Sequence, residues 1–82
     1  MLEEYKKLIF ALIDETRREV GNISYTLYAD ADNMGEFVLL EEWESRESLE
    51  NHFKTPHFTS LVPQIQKLQV KPSVVNVYNK VY

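Results

Sequence analysis

Two histidines, His52 and His57, are the side chains here that can accept or release a proton near neutral pH. His52 shares an apolar stripe with Leu49 and Phe53 at i, i+3, i+4 spacing. An imidazole held among apolar groups can act as a general base. It can equally be a buried histidine satisfied by a backbone carbonyl or a neighbouring carboxylate. His57 follows Thr55-Pro56 at a helix start, where it either completes a pocket or caps and packs. Trp43 closes an apolar strand just before His52's helix. It could wall a pocket by stacking on a flat ligand and donating its indole N–H, or it could be a core tryptophan. Phe53 and Phe58 flank the histidines. As a metal pair the histidines fall short: zinc needs three or four convergent ligands, no third is evident, and there is no cysteine. Glu41 and Glu42 alternate across a strand, so they point to opposite faces and form no general acid/base pair. There is no Gly-rich phosphate loop and no nucleophile beside a base.

The elements that must position these residues read from local pattern. Leu2, Tyr5, Leu8, Ile9, Leu12, Ile13, Thr16 and Val20 predict an amphipathic helix from about residue 2 to 20, ended by Gly21. Residues 23–29 alternate as a strand. Asp30 to Gly35 is turn chemistry, so 23–29 and 36–44 should form an antiparallel hairpin. In the second strand Phe37 and Leu39 point one way, Val38 and Leu40 the other. Both faces should therefore be covered, one by helices and the other most economically by a second copy of the chain; the alternative is a central strand in a monomer with an apolar surface. Ser45 is an N-cap with Glu47 in the first turn, and Thr55-Pro56 restarts the helix. Phe58, Leu61, Val62, Ile65 and Leu68 continue the apolar stripe, with a break or 3₁₀ turn expected near residue 62 because of Pro63. Val74 to Tyr82, rich in β-branched and aromatic residues, predicts a last strand. The order is αββαβ, which is the ferredoxin-like βαββαβ arrangement without its first strand.

The chain of 82 residues is one domain, 1–82. A chain this short buries roughly 60–65% of its unfolded surface, so oligomerisation is the expected reinforcement. The 44% hydrophobic content is enough for a core and an interface. A net charge of −4 argues against nucleic acid, which needs clustered Lys and Arg. No apolar run reaches membrane-spanning length, and the acidic start Leu2-Glu3-Glu4 is unlike a signal peptide. A cytoplasmic protein is expected. Tyr25, Tyr28 and Tyr78 read as interface or core aromatics, and Tyr25 is also placed against the ligand.

Three segments together resemble the antibiotic-biosynthesis-monooxygenase family of dimeric α+β barrels. They are Gly21 to Tyr28 (a glycine, then a strand), Phe37 to Ser45 (F-x-x-x-E-x-W), and Leu49 to Phe58 (H-x4-H-F). The likeness runs from Met1 to Tyr82. Family members begin with a strand that pairs centrally in the sheet, and Met1 stands where their first helix starts. The expectation is an internal methionine or a truncated start. The haem-degrading branch carries a Trp and a His on the helix, where this chain has His52 and Val62. The quinone-antibiotic branch pairs its Trp with an Asn and a Tyr, where this chain has Leu39 and Leu49. Trp43, His52, Thr55, Pro56 and His57 resemble the quinol monooxygenases most. The resemblance implies a cofactor-free oxygenation of a small quinol or phenol. His52 and His57 would be catalytic, Trp43, Phe53, Phe58 and Tyr25 would hold the ligand, and a homodimer would form through the sheet face. The alternatives are a small-carbonyl isomerase of the autoinducer-2-processing type, which shares the His-x4-His cluster, and a non-enzymatic dimeric ligand-binding module.

Overall fold

The computed structural model describes residues 2–81. Five elements follow in order: α1 (Leu2–Thr16), β1 (Asn22–Ala29), β2 (Phe37–Trp43), α2 (Arg46–His52) and α3 (Pro56–Lys67). This is an α+β fold with helices packed on one face of an antiparallel hairpin. Ile9, Leu12 and Ile13 of α1, Tyr25 of β1 and Ile65 of α3 form the buried core. Tyr5, Leu8, Leu27, Leu39, Trp43, Leu61 and Val62 pack around it.

The hairpin pairs Tyr25 with Glu41, Leu27 with Leu39 and Ala29 with Phe37 on the helix-facing side. Its irregularity lies between Asn22 and Ser24, where an extra residue lets Trp43 stay on the inner side opposite Asn22. Asp30 Oδ1 accepts from the backbone N–H groups of Asp32 and Asn33, which builds the turn. Thr26 and Leu40, and Tyr28 and Val38, pair on the outer face. There Tyr28, Val38 and Leu40 keep about half of their surface, at 52%, 50% and 58%.

Both expected caps form. Ser45 Oγ accepts from the Ser48 N–H, and Thr55 Oγ1 accepts from the Phe58 N–H. Four expectations need correcting. First, α1 stops at Thr16 rather than 20. Thr16 Oγ1 donates back to the Leu12 carbonyl, and the chain then tightens through Arg18→Glu15 and Glu19→Thr16 backbone bonds. Second, Val20 consequently leaves the apolar stripe and is exposed. Third, α3 runs through Pro63 without a break. Pro63 removes the bond to the Thr59 carbonyl, but both residues lie on the exposed side, while Ile65 and its neighbours anchor the helix on α1. Fourth, residues 74–81 form no strand, and Val74, Val75, Tyr78 and Val81 stay exposed. β-propensity describes a fit to a neighbouring strand, and no described strand lies alongside them. The ends of that predicted strand and helix, Tyr82 and Met1, lie outside the described residues.

Gly21 sits buried between α1 and α2 with φ +90°. A Cβ there would overlap Ser48 Oγ and lie 2.6 Å from Ser48 Cβ, and the Gly21 carbonyl accepts from the Glu44 N–H at 2.8 Å. The turn after α1 and the start of α2 are therefore locked together at a position only glycine fills. Gly21→Ala is expected to lower stability by about 1–3 kcal/mol from backbone strain alone, with the Ser48 clash added. Denaturant unfolding of the two proteins measures it.

Candidate functional site

The turn locked by Gly21 carries Glu19, and α2 and α3 carry the two histidines. His52 is the last residue of α2, 1% exposed. His57 is the second residue of α3 and half-buried. Between them Thr55 caps α3 and donates its hydroxyl to the His52 carbonyl at 2.8 Å. One carboxylate oxygen, Glu19 Oε2, stands 2.7 Å from His52 Nδ1 and 2.7 Å from His57 Nε2. An ionised carboxylate only accepts, so both ring nitrogens donate to it. A neutral His52 that donates from Nδ1 is the Nδ1–H tautomer. Its Nε2 is buried and has no hydrogen-bond partner among the described residues.

Aromatic rings enclose His52. Trp43 lies 4.8 Å away between centroids, Phe58 4.9 Å, Tyr25 5.5 Å and Phe53 5.7 Å. Phe53 and Phe58 also meet edge to face at 5.2 Å. The other five residues singled out from sequence thus converge on the His52 imidazole, with His57 the most distant at 6.3 Å. The rings pack on one another. Two clefts lie elsewhere, one of about 320 Å³ along Phe10, Ile13, Asp14, Arg17, Thr26 and Leu27 and one of about 470 Å³ along Gln66 to Val75.

Glu19 is the residue that sequence reasoning missed. On a helix running to residue 20 it falls on the apolar arc, three residues after Thr16 and seven after Leu12, and its two partners stand 33 and 38 residues further along. One signal pointed towards it: a histidine on an apolar stripe needs a polar partner, and a carboxylate is the strongest. Glu19 is also the third metal-type donor that the sequence pattern lacked, since its oxygen and the two imidazole nitrogens lie within 4.8 Å of one another. The 2.7 Å spacings are those of charge-assisted hydrogen bonds, with the oxygen itself between the rings.

Glu41 and Glu42 do face opposite ways. Glu42 accepts from the Ser24 hydroxyl at 2.9 Å. Glu41 accepts the Trp43 indole N–H at 3.0 Å, which orients the tryptophan beside His52. Loss of water around its carboxyl group pushes the Glu41 pKa up, helped by the charge of Glu19, while the indole N–H and His52 act in the opposite sense. Burial, Glu41 and Glu19 push the Tyr25 hydroxyl well above the ordinary tyrosine range, with Thr16 working against them. Tyr25 is therefore a neutral phenol at any working pH.

The sequence profile of the antibiotic biosynthesis monooxygenase family matches residues 1–64. The chain belongs to this family. It is 40% identical over 72 residues to the Mycobacterium tuberculosis protein Rv0793, whose name marks it as a candidate monooxygenase, covering 88% of this chain and 70% of that one. It is 36% identical over 76 residues to the Synechocystis sp. protein sll1783, covering 93% of this chain and 52% of the relative's length. The crystal structure of a conserved protein from Methanosarcina mazei Go1 superposes with a TM-score of 0.94 at 32% identity, over 98% of this chain and 79% of that one. These likenesses bear out the expected family and its ferredoxin-like α+β fold. No described helix is long and apolar enough to cross a membrane.

The raised pKa of Glu41 couples stability to pH. A carboxyl group whose folded pKa lies above its unfolded value of about 4.5 favours folding while it is protonated, and that contribution is lost as pH rises through the folded pKa. Glu41→Gln keeps an acceptor for the Trp43 indole and cannot ionise. Its melting temperature should gain on the unmodified protein as pH climbs from about 4 towards 7. Parallel thermal melts across that range measure the difference.

Proposed function

We propose that this protein is a cofactor-free monooxygenase of a small quinol or related phenol. The observation that carries the reading is His52: a buried imidazole with Nδ1–H tied to a carboxylate, an unpartnered Nε2, and aromatic rings on several sides. Once the packed rings of Trp43, Phe53, Phe58 and Tyr25 part to admit it, a planar ring brings its hydroxyl to Nε2. The O–H bond breaks, the proton passes to Nε2, and the electron pair stays on the phenolate. The electron-rich ring carbon then bonds to O₂, and the proton held on Nε2 passes back to the outer oxygen, giving a hydroperoxide and restoring neutral His52. Its O–O bond breaks as the ring C–H proton leaves. One oxygen atom remains as a quinone carbonyl, the other departs as water, and O₂ is the sole oxidant. In this scheme the protein supplies the base, holds the ring and excludes water. His57 serves as the second polar contact on the same carboxylate.

The test is oxygen consumption with a panel of quinols, set beside a panel of hydroxy-ketones to separate oxygenation from carbonyl isomerisation. His52→Ala is expected to abolish uptake with the quinol, about a 10²-fold loss or more, and to leave the fold intact by circular dichroism. Unchanged uptake would remove His52 from the chemistry. Turnover of the hydroxy-ketones without uptake would favour the isomerase.

A homodimer through the sheet face is part of the same proposal. The outer face with Tyr28, Val38 and Leu40 is apolar and half-exposed, a two-stranded hairpin is marginal without further cover, and the valine-rich 74–81 segment is unpaired. A second copy of the chain would cover the face and offer that segment a strand to join. Light scattering should give the mass of two chains, falling to one for Val38→Lys combined with Leu40→Lys. A single-chain mass for the unmodified protein would end the idea.

A further inference from the structure

We propose that Glu19 is the positioning residue of this site. Its one oxygen holds His52 in the Nδ1–H tautomer and His57 in the Nε2–H tautomer, so that Nε2 of His52 is left as the lone-pair acceptor for the hydroxyl of a phenolic ligand. The proposal rests on the oxygenase reading for its ligand but not for its geometry.

A neutral imidazole carries one proton and is free to place it on either nitrogen, and free histidine favours Nε2. Left alone, His52 would therefore tend to turn its acceptor towards the turn after α1 and its N–H into the aromatic cluster. Glu19 reverses this. Oε2 accepts at 2.7 Å from Nδ1, which forces the lone pair onto the buried Nε2 of a ring packed among Trp43, Tyr25 and Phe58. A buried polar atom without a partner is uncommon and calls for an explanation, and a lone pair reserved for a ligand hydroxyl is one. When that hydroxyl's proton passes to Nε2, the O–H bond breaks, an N–H bond forms, and His52 becomes an imidazolium. The carboxylate at 2.7 Å then faces a full positive charge. The logic is that of a carboxylate orienting a catalytic histidine, reached here with a glutamate from the turn between α1 and β1.

His57 completes the arrangement. With its own N–H on the same oxygen, it keeps Glu19 from swinging out of the site, since the carboxylate is pinned from two sides. Nothing else holds Oε2 among the described residues.

The test is long-range ¹⁵N–¹H NMR of the imidazoles in the unmodified protein and in Glu19→Ala and Glu19→Gln, read at about pH 7. In the unmodified protein, His52 should show a bare Nε2 and a protonated Nδ1, and added hydroquinone should shift the Nε2 signal. Glu19→Ala should move the His52 proton to Nε2 and cut kcat for quinol oxygenation about 10²-fold with KM changed less. Glu19→Gln keeps an acceptor but not the charge, so it should retain the tautomer and lose part of kcat. If Glu19→Ala does not fold, the unmodified protein and Glu19→Gln still decide the matter. A proton on Nε2 of His52 in the unmodified protein would overturn the proposal, as would an unchanged tautomer in Glu19→Ala. So would Zn²⁺ driving both Glu19-facing nitrogens into the metal-bound range, for that would make the same three donors a cation site. A bare Nε2 that shifts with hydroquinone but no oxygen uptake supports the positioning role while removing the oxygenase reading.

Discussion

The hydrogen bonds from two imidazoles to a single oxygen of Glu19 are the constraint on which the site depends. A buried histidine and a nearly buried carboxylate are each unfavourable alone, because neither recovers the water it loses. Together they are mutually satisfied, and the surroundings must then keep them in place. The tight turn after α1, the end of α2 and the cap of α3 are all arranged around that oxygen. Gly21 allows the turn to approach Ser48 closely. Thr55 ties the start of α3 to the end of α2 through the His52 carbonyl.

Around this polar centre lies a shell of rings whose own polar atoms are tied off. The Trp43 indole donates to Glu41, and Tyr25 remains a neutral phenol under the influence of burial and two carboxylates. What is left facing the rings is one imidazole nitrogen.

Much of the architecture was legible from local chemistry. The hairpin followed from alternation around an Asp-Asn-Gly turn, and both helix starts followed from a capping residue and, at Pro56, a proline that suits a first turn. These are short-range effects, so short-range patterns report them. The convergence of Trp43, His52, His57, Phe53 and Phe58 was legible for a related reason: strand end and helix face adjoin in sequence. What could not be read depends on distant partners. Glu19 gains its role from residues more than thirty positions away, and the end of α1 is decided by a Thr16 back-bond that competes with helix continuation. Residues 74–81 have strand-like composition but no strand beside them, which composition does not register. Pro63 was expected to break α3, but anchoring of that helix on α1 outweighs one missing backbone bond.

The sharing of one oxygen by two rings also has an entropic side. Joining Glu19 to His52 closes a loop spanning 33 residues, and joining it to His57 closes one spanning 38. Loop closure grows only logarithmically with length, so those two closures differ by about 0.1 kcal/mol when taken separately. They are not separate: the cap at Thr55 already fixes His57 relative to His52. Once the first bond has formed, the second closes almost no additional loop. A chain of this size can therefore hold a three-residue polar centre for little more than the chain ordering that a two-residue one would require.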